Sequence, residues 1–571
     1  MRQILFPLAL LCAAIPVHTQ PANTVLRHGT VLTVDEQDHV AQALAIRDGK
    51  IVAVGTDADI GKLIGPSTRV IELAGRTVTP GMIDTHAHVL DGLTAELFKI
   101  DLTTAASVAE VLARVKAEAE KLPAGAWVQA FGWNEGVIAE HHPPSLAELD
   151  AVTAGHPALL ENVTHHYAMV NSAALALVGF QSGSIEIKGG TIVRGADGKP
   201  TGLLKEKAQD VLLAVIPPPT DAQSHQAIQA VLGRLHSLGL TGVKDIVYPP
   251  AWNAYMAFEK SDGLTAHICP LMWAGSTLDS ARVTLAAIQK GRSDIASFPG
   301  KDLTVCGAKI LLDGSAMGHT AWRNEDYAAN PHFAGPAGRG YPLVDPDQYQ
   351  AMVKLFNAAG VPVGTHAIGD RAIDLVVDSY AAALKESPHF GLRHAIIHEH
   401  EPTAHALEVM QQLQTKYDAG IPETQASFLY YLGDSLPGAF GPDQSQHIMP
   451  FATYRKLGLI YSNGSDFPVT SIAPQIGLWA SVAREPLKGV YGQHPFGTAE
   501  SVDIHTALRS YTLWSAHQLF LDKETGSLEP GKWADLAIWD RNPYAIPTAE
   551  LKGMKCTMTL YKGKVVFEAK P

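Results

Sequence analysis

From residue 81 to residue 466 the chain repeats one pattern, a short apolar run followed by a longer amphipathic stretch. Short apolar runs bounded by turn signals read as buried strands, and the stretches between them as helices laid over the sheet. Eight strands are predicted, at 81–88, 240–247, 267–274, 303–313, 361–368, 395–400, 424–428 and 459–466. Eight parallel strands, each followed by a helix, is the number that closes a barrel, so the predicted class is α/β and the architecture a (β/α)8 TIM-like barrel. The count holds if residues 101–239 are an insertion after the first strand. That insertion carries helical patterns at 107–121 and 221–238 and strand-like pieces at 126–131 and 158–163.

The two ends have a different character. Residues 22–80 read as short strands at 24–27, 30–34, 43–46, 51–54, 69–72 and 77–78, separated by turns such as Asp48-Gly49. The tail repeats this at 536–539, 557–561 and 565–568, with Lys562-Gly563 as a turn. Residues 21–79 and 521–571 are therefore expected to build one small β-sandwich domain beside a barrel over 80–520.

In a barrel of this kind chemistry sits at the C-terminal ends of the strands. The first strand ends in His86-Ala87-His88. Residues two apart on a strand face the same side, so both imidazoles converge on one point, as two ligands of a cation such as zinc do. Taken alone the pair is weak evidence, since two histidines at this spacing also occur in ordinary loops. Later strands add Lys309 and Asp313, His366, His398 and His400, and Asp466. Such groups in a barrel mouth are costly unless paired or bound to metal. His398 and His400 alternate, so either one could face the mouth. Asp245 and Asp313 are candidates for orienting ligand histidines.

Composition bounds the partners. The 571 residues carry 44 Lys and Arg against 57 Asp and Glu, a net charge of −13, with no basic run. Nucleic acid and anionic membrane are not expected partners. Residues 1–20 open with Met1-Arg2, continue through an apolar run from Ile4 to Val17, and end polar. This is the layout of a secretory signal peptide, too short to span a membrane comfortably, and it predicts a periplasmic or secreted protein. Cys269, Cys306 and Cys556 then remain, an odd and sparse set expected to be buried thiols, in a compartment that would permit one bridge.

The chain resembles the metal-dependent amidohydrolase superfamily, in particular the branch containing N-substituted formamide deformylases. The resemblance rests on Thr79-Pro-Gly-Met-Ile-Asp-Thr-His-Ala-His88, Lys309-Ile-Leu-Leu-Asp-Gly-Ser315, His366-Ala-Ile-Gly-Asp-Arg-Ala372, Glu399-His400 and Gly464-Ser-Asp-Phe-Pro468. Gly526-Ser-Leu-Glu-Pro-Gly-Lys-Trp-Ala-Asp-Leu-Ala537 and, in the insertion, Gly132-Trp-Asn-Glu135 and His166-Tyr-Ala-Met-Val-Asn-Ser172 extend it over nearly the whole mature chain. It implies that His86 and His88 hold one divalent metal, expected to be zinc, with Asp466 beside it. His366 and His400 would hold a second, with Lys309 carbamylated between the two; with Lys309 unmodified, a single ion remains workable. The family's Glu-His pairing favours His400 over His398. Trp133, His166, Tyr167 and His319 are candidates for substrate binding.

The implied function is hydrolysis of a non-peptide C–N bond, in a linear or N-acyl amide of a small molecule. Water activated by the metal would attack, with Asp466 as general acid and base. An esterase, lactonase or cyclic amidase would use the same site, and a silent binding protein on this scaffold is the reading from another class. Two departures bear on substrate: Gly318-His-Thr-Ala321 where relatives have an arginine, and Gln425-Ala-Ser427 where a proline often follows the glutamine.

Overall fold

The computed structural model describes residues 20–181, 185–298, 300, 302–327, 338–489 and 496–570. The expected signal peptide, apart from Gln20, lies outside the described residues. Among them, no helix is long and apolar enough to cross a membrane.

The centre is a nearly closed barrel of eight parallel strand positions. The first strand, Met82–Ala87, pairs with Leu240–Val247. The path continues through Gly307–Leu311, Val363–Ala367, Ala395–His398, Ile421–Thr424 and Ser462–Asn463. The third position comes in two pieces, His267–Ile268 and Leu271–Trp273. Pro270, which has no N–H to give a ladder, sits in the break. Nearly every residue of these strands is buried, as expected for a parallel sheet covered on both faces.

Hydrogen bonds draw the eighth strand onto the first. Thr85 Oγ1 donates to Ser462 Oγ at 3.1 Å. The Asp466 N–H donates to the His86 carbonyl at 2.7 Å. Asp84 accepts from the backbone of both His86, at 3.0 Å, and Ser465, at 3.1 Å. Gly464 makes this approach possible, because a Cβ there would stand 2.5 Å from the His86 nitrogen.

The seventh strand lies earlier than predicted. It spans Ile421–Thr424, and Ser427–Tyr431 is a short helix. Pro422 and Glu423 interrupt the apolar pattern that marks a strand, whereas the run from Phe428 to Tyr431 imitates one. Inward-facing polar side chains hide a strand from a reading based on hydrophobicity.

The cysteines also differ from expectation. Cys269 and Cys306 form a disulfide with Cα atoms 5.3 Å apart, and Cys556 is buried and free. The bridge ties the break in the third strand to the lead-in of the fourth. It spans 37 residues, and closing a loop of that size constrains the unfolded chain by about 4 kcal/mol. Replacing both cysteines with serine is expected to lower unfolding stability by up to that amount in a urea titration under non-reducing conditions. An unchanged midpoint would show that the bridge contributes nothing.

Two further sheets are built from the terminal segments, the first from N-terminal strands alone and the second from both ends. One holds Lys50–Gly55, Ala43–Arg47, Thr24–Arg27 and Arg69–Glu72 in that order. The other runs Lys564–Glu568, Cys556–Tyr561, Leu536–Trp539, Thr77–Pro80, Thr30–Leu32 and Val40–Ala41. They share one apolar core that includes Leu26, Leu44, Ile71, Val78, Leu536 and Leu560. Thr77–Pro80 leads into the first barrel strand through Gly81 alone, and Gly81 N–H donates to Asp535 O at 2.9 Å.

The insertion has its own six-stranded sheet, with Val128–Trp133 and Ala158–Asn162 adjacent and parallel within it. Two helices in the stretch 101–239 begin where the sequence offers caps. Ser107 accepts from Glu110 N–H ahead of Val108–Ala119, and Thr220 with Gln223 forms a capping box ahead of Asp221–Ser237.

Candidate metal centre

His86 and His88 stand at the C-terminal end of the first strand as alternation requires. His86 is wholly buried, and its Nε2 lies 3.3 Å from Asp466 Oδ1 and 3.2 Å from Lys309 Nζ. His88 Nε2 is 3.5 Å from the same carboxylate oxygen. The turn after His88 is pinned from the neighbouring strand, because Asp245 accepts from the Val89 N–H and the Tyr255 hydroxyl, each at 2.7 Å. Asp466 follows the eighth strand with φ of 55°, a left-handed conformation that aspartate tolerates better than most residues.

His398 is the last residue of the sixth strand, and its Nδ1 lies 2.7 Å from Gln425 Oε1. One ligand atom from each of His86, His398 and Asp466 falls within 4.8 Å of the others. His366 packs against this group, its ring centroid 4.3 Å from that of His398. Its Nε2 points to the Gly314 carbonyl at 3.1 Å, and Asp313 Oδ1 lies 3.5 Å from the same nitrogen. Asp313 also accepts from the N–H groups of Trp322, Ile368 and Gly369, so it ties together the loops after the fourth and fifth strands.

The structure places His398, not the expected His400, in the group of three. The backbone turns at His398 and Glu399, with φ of 75° and 44°, so the two-residue alternation stops before His400. The His400 ring lies 6.3 Å from that of His398 and meets Phe428 and Phe440 edge-on, and neither of its nitrogens has a hydrogen-bond partner among the described residues.

Burial sets the electrostatics. It pushes His86, His366 and His398 well below the usual imidazole range, and nearby positive groups such as Lys309 add to this. Neutral imidazoles keep a lone pair for a cation. Burial also raises Asp466 to about 6 against the pull of Lys309, and lowers Lys309 to about 7 against the pull of Asp466 and Glu423. Two imidazole nitrogens and a carboxylate oxygen on one point suit a borderline-soft divalent cation, so the residues present fit a metal.

Two residues that sequence reasoning missed stand directly behind His86. Glu423 Oε1 lies 3.2 Å from His86 Nδ1, and its other oxygen pairs with Lys244 Nζ, which also donates to Gln518 Oε1 at 3.0 Å. The available signal was charge inside a strand: Lys244 next to Asp245 in Val243-Lys-Asp245, and Glu423 in Ile421-Pro-Glu-Thr424.

The four substrate candidates part company. His166 comes to the site: its ring is 5.2 Å from that of His366, and its Nδ1 is 2.9 Å from Glu206 Oε2. His319 stacks on Tyr327 at 4.5 Å in the loop after the fourth strand. Trp133 is buried in the insertion's own core and donates to the Leu160 carbonyl at 2.9 Å. Tyr167 is buried beside it and donates to Glu135 Oε1 at 2.7 Å.

A barrel with histidines and an aspartate gathered at its C-terminal mouth defines a metal-dependent hydrolase fold. The model of the amidohydrolase family matches residues 69–567, and the chain belongs to that family. It is accordingly a hydrolase of carbon–nitrogen bonds. It is 28% identical to an N-substituted formamide deformylase of Arthrobacter pascens over 563 residues, 96% of this chain and 99% of that one. Among solved structures it resembles an uncharacterized metal-dependent hydrolase of Pyrococcus horikoshii, with a TM-score of 0.70 at 23% identity over 92% of this chain and 99% of the other. It also resembles the zinc complex of an atrazine chlorohydrolase of Arthrobacter aurescens, with a TM-score of 0.53 at 14% identity over 95% of each chain. At these identities the two structures speak to the fold.

Proposed function

We propose that the protein hydrolyses linear or N-acyl amides of small molecules, using a divalent cation held by His86, His398 and Asp466, with His88 alongside. The observation that carries this is the convergence of those three side chains at the barrel mouth beside the buried amine of Lys309. The donor set favours zinc. When bound, such an ion supplies Lewis-acid activation of water and of the substrate carbonyl. Asp466 takes the proton of the attacking water and returns it to the leaving nitrogen, as its place between His86 and His88 allows. His166 borders the space where the substrate would lie. Lys309, lowered to about 7, is in part an unprotonated amine at neutral pH. Its carbamylation would add an anionic oxygen donor and allow a second ion beside His366. The likeness to an N-substituted formamide deformylase supports an N-acyl substrate. The reading of residues 1–20 as an export signal fits the disulfide, since such bridges persist in oxidising compartments.

The test is hydrolysis of a matched panel of N-formyl, N-acetyl and longer N-acyl amides, esters and lactones, read by mass spectrometry. Protein loaded with zinc in the presence and absence of bicarbonate is compared with chelated protein. Chelator-sensitive cleavage of one amide group is expected, with higher metal loading in bicarbonate if Lys309 is carbamylated. Cleavage of esters or lactones alone would overturn the substrate class.

A further inference from the structure

We propose that the seventh barrel strand is the positioning element of the metal centre. It gives no ligand of its own, yet Glu423 and Gln425 each fix the ring of one ligand histidine, and Lys244 supplies the counter-charge. The inference rests on the reading of His86 and His398 as ligands.

Glu423 lies on the strand and Gln425 directly follows its last residue, Thr424, and both are wholly buried. His86 Nδ1 donates to Glu423 Oε1 at 3.2 Å, and His398 Nδ1 donates to Gln425 Oε1 at 2.7 Å. Each contact fixes the tautomer and leaves Nε2 for the ion. The Gln425 amide cannot turn over freely, because its Nε2 donates to the Glu423 carbonyl at 3.2 Å, which directs Oε1 toward His398. The two partners are unequal in kind. A carboxylate behind His86 makes that imidazole the stronger donor, whereas a neutral amide behind His398 only orients it.

The carboxylate creates a difficulty that Lys244 resolves. An unpaired charge at this depth is strongly destabilising, and Lys244 on the second strand pairs with the free oxygen of Glu423. Lys244 is held in turn by Gln518, the last residue of the helix Leu513–Gln518. A chain of contacts therefore runs Gln518, Lys244, Glu423, His86 across the barrel interior. Removing an outer partner of a ligand histidine typically weakens metal binding about 10- to 100-fold.

The experiment measures zinc affinity by chelator competition, the absorption spectrum of the cobalt-substituted protein, and the melting temperature of the metal-free protein. It is applied to wild type, Glu423→Gln, Lys244→Met and the double variant. Glu423→Gln is expected to weaken zinc binding about 10- to 100-fold and to change the cobalt spectrum. Each single variant leaves one buried charge and should melt lower. The double variant leaves none, so it should regain most of the melting temperature while keeping the deficit in zinc affinity. That separation is what a merely structural ion pair would not show. A double variant that binds zinc as tightly as wild type, with the wild-type spectrum, overturns the proposal. A wild-type protein that takes up no divalent ion overturns the reading of the site, and this inference with it.

Discussion

Asp466→Asn is expected to lower kcat by about 10²- to 10⁴-fold, the usual worth of a positioned general acid–base group. The melting temperature should change little. Asparagine tolerates the left-handed backbone that Asp466 adopts, and the hydrogen bond to the His86 carbonyl comes from the backbone. An amide oxygen can still face the cation, so metal remains bound, more weakly, while nothing accepts the proton. Kinetics and metal content measured on the same sample separate the two effects, and full turnover in this variant would remove Asp466 from the proposed chemistry. The wild-type pH profile gives a second check. Burial raises the Asp466 carboxyl to about 6 in the metal-free chain, and an adjacent cation favours its charged form and moves it down. Activity requires the carboxylate, so it should be kept above this value and lost on acidification, with an acid limb below pH 6 in the loaded enzyme.

The second large effect separates two histidines. His398→Ala removes one of three convergent donors and is expected to reduce both bound metal and turnover to near background. His400→Ala removes a ring that lies against Phe428 and Phe440, outside that group, and should leave metal content close to wild type. Elemental analysis after dialysis against buffered zinc reads the difference directly. The reverse result, metal lost with His400 and kept with His398, would restore the assignment that the Glu399-His400 motif favours.

That contrast shows where sequence is a good guide and where it stops. His86 and His88 could be placed because the strand Met82–Ala87 brings them to its C-terminal end, where the two-residue period sets both toward the mouth. Lys309 and Asp466 followed from their positions at strand ends. The choice between His398 and His400 depends on where a strand ceases to be regular, which is fixed by two left-handed residues whose identities, histidine and glutamate, do not announce it. The seventh strand was displaced because Pro422 and Glu423 break its apolar pattern, whereas the run after Ser427 imitates a strand and is a helix. Trp133 was a pocket candidate although an aromatic in such an insertion more often belongs to a core, and the structure buries it in the insertion's own apolar cluster. The terminal strands were legible nearly to the residue, since most are short, largely apolar runs bounded by turn signals.

The pairing of Thr77–Pro80 with Leu536–Trp539 has a consequence for the order in which the molecule can be completed. A ribosome delivers the first barrel strand early, but the strand that flanks its lead-in arrives some 450 residues later. Asp535, which accepts the Gly81 N–H and pairs with His267, comes with that late segment. Until it emerges, Thr77–Pro80 has an open edge and the base of the His86 strand is not yet clasped. A chain cut short before residue 535 would thus contain every proposed metal ligand and still lack the piece that seats the first of them.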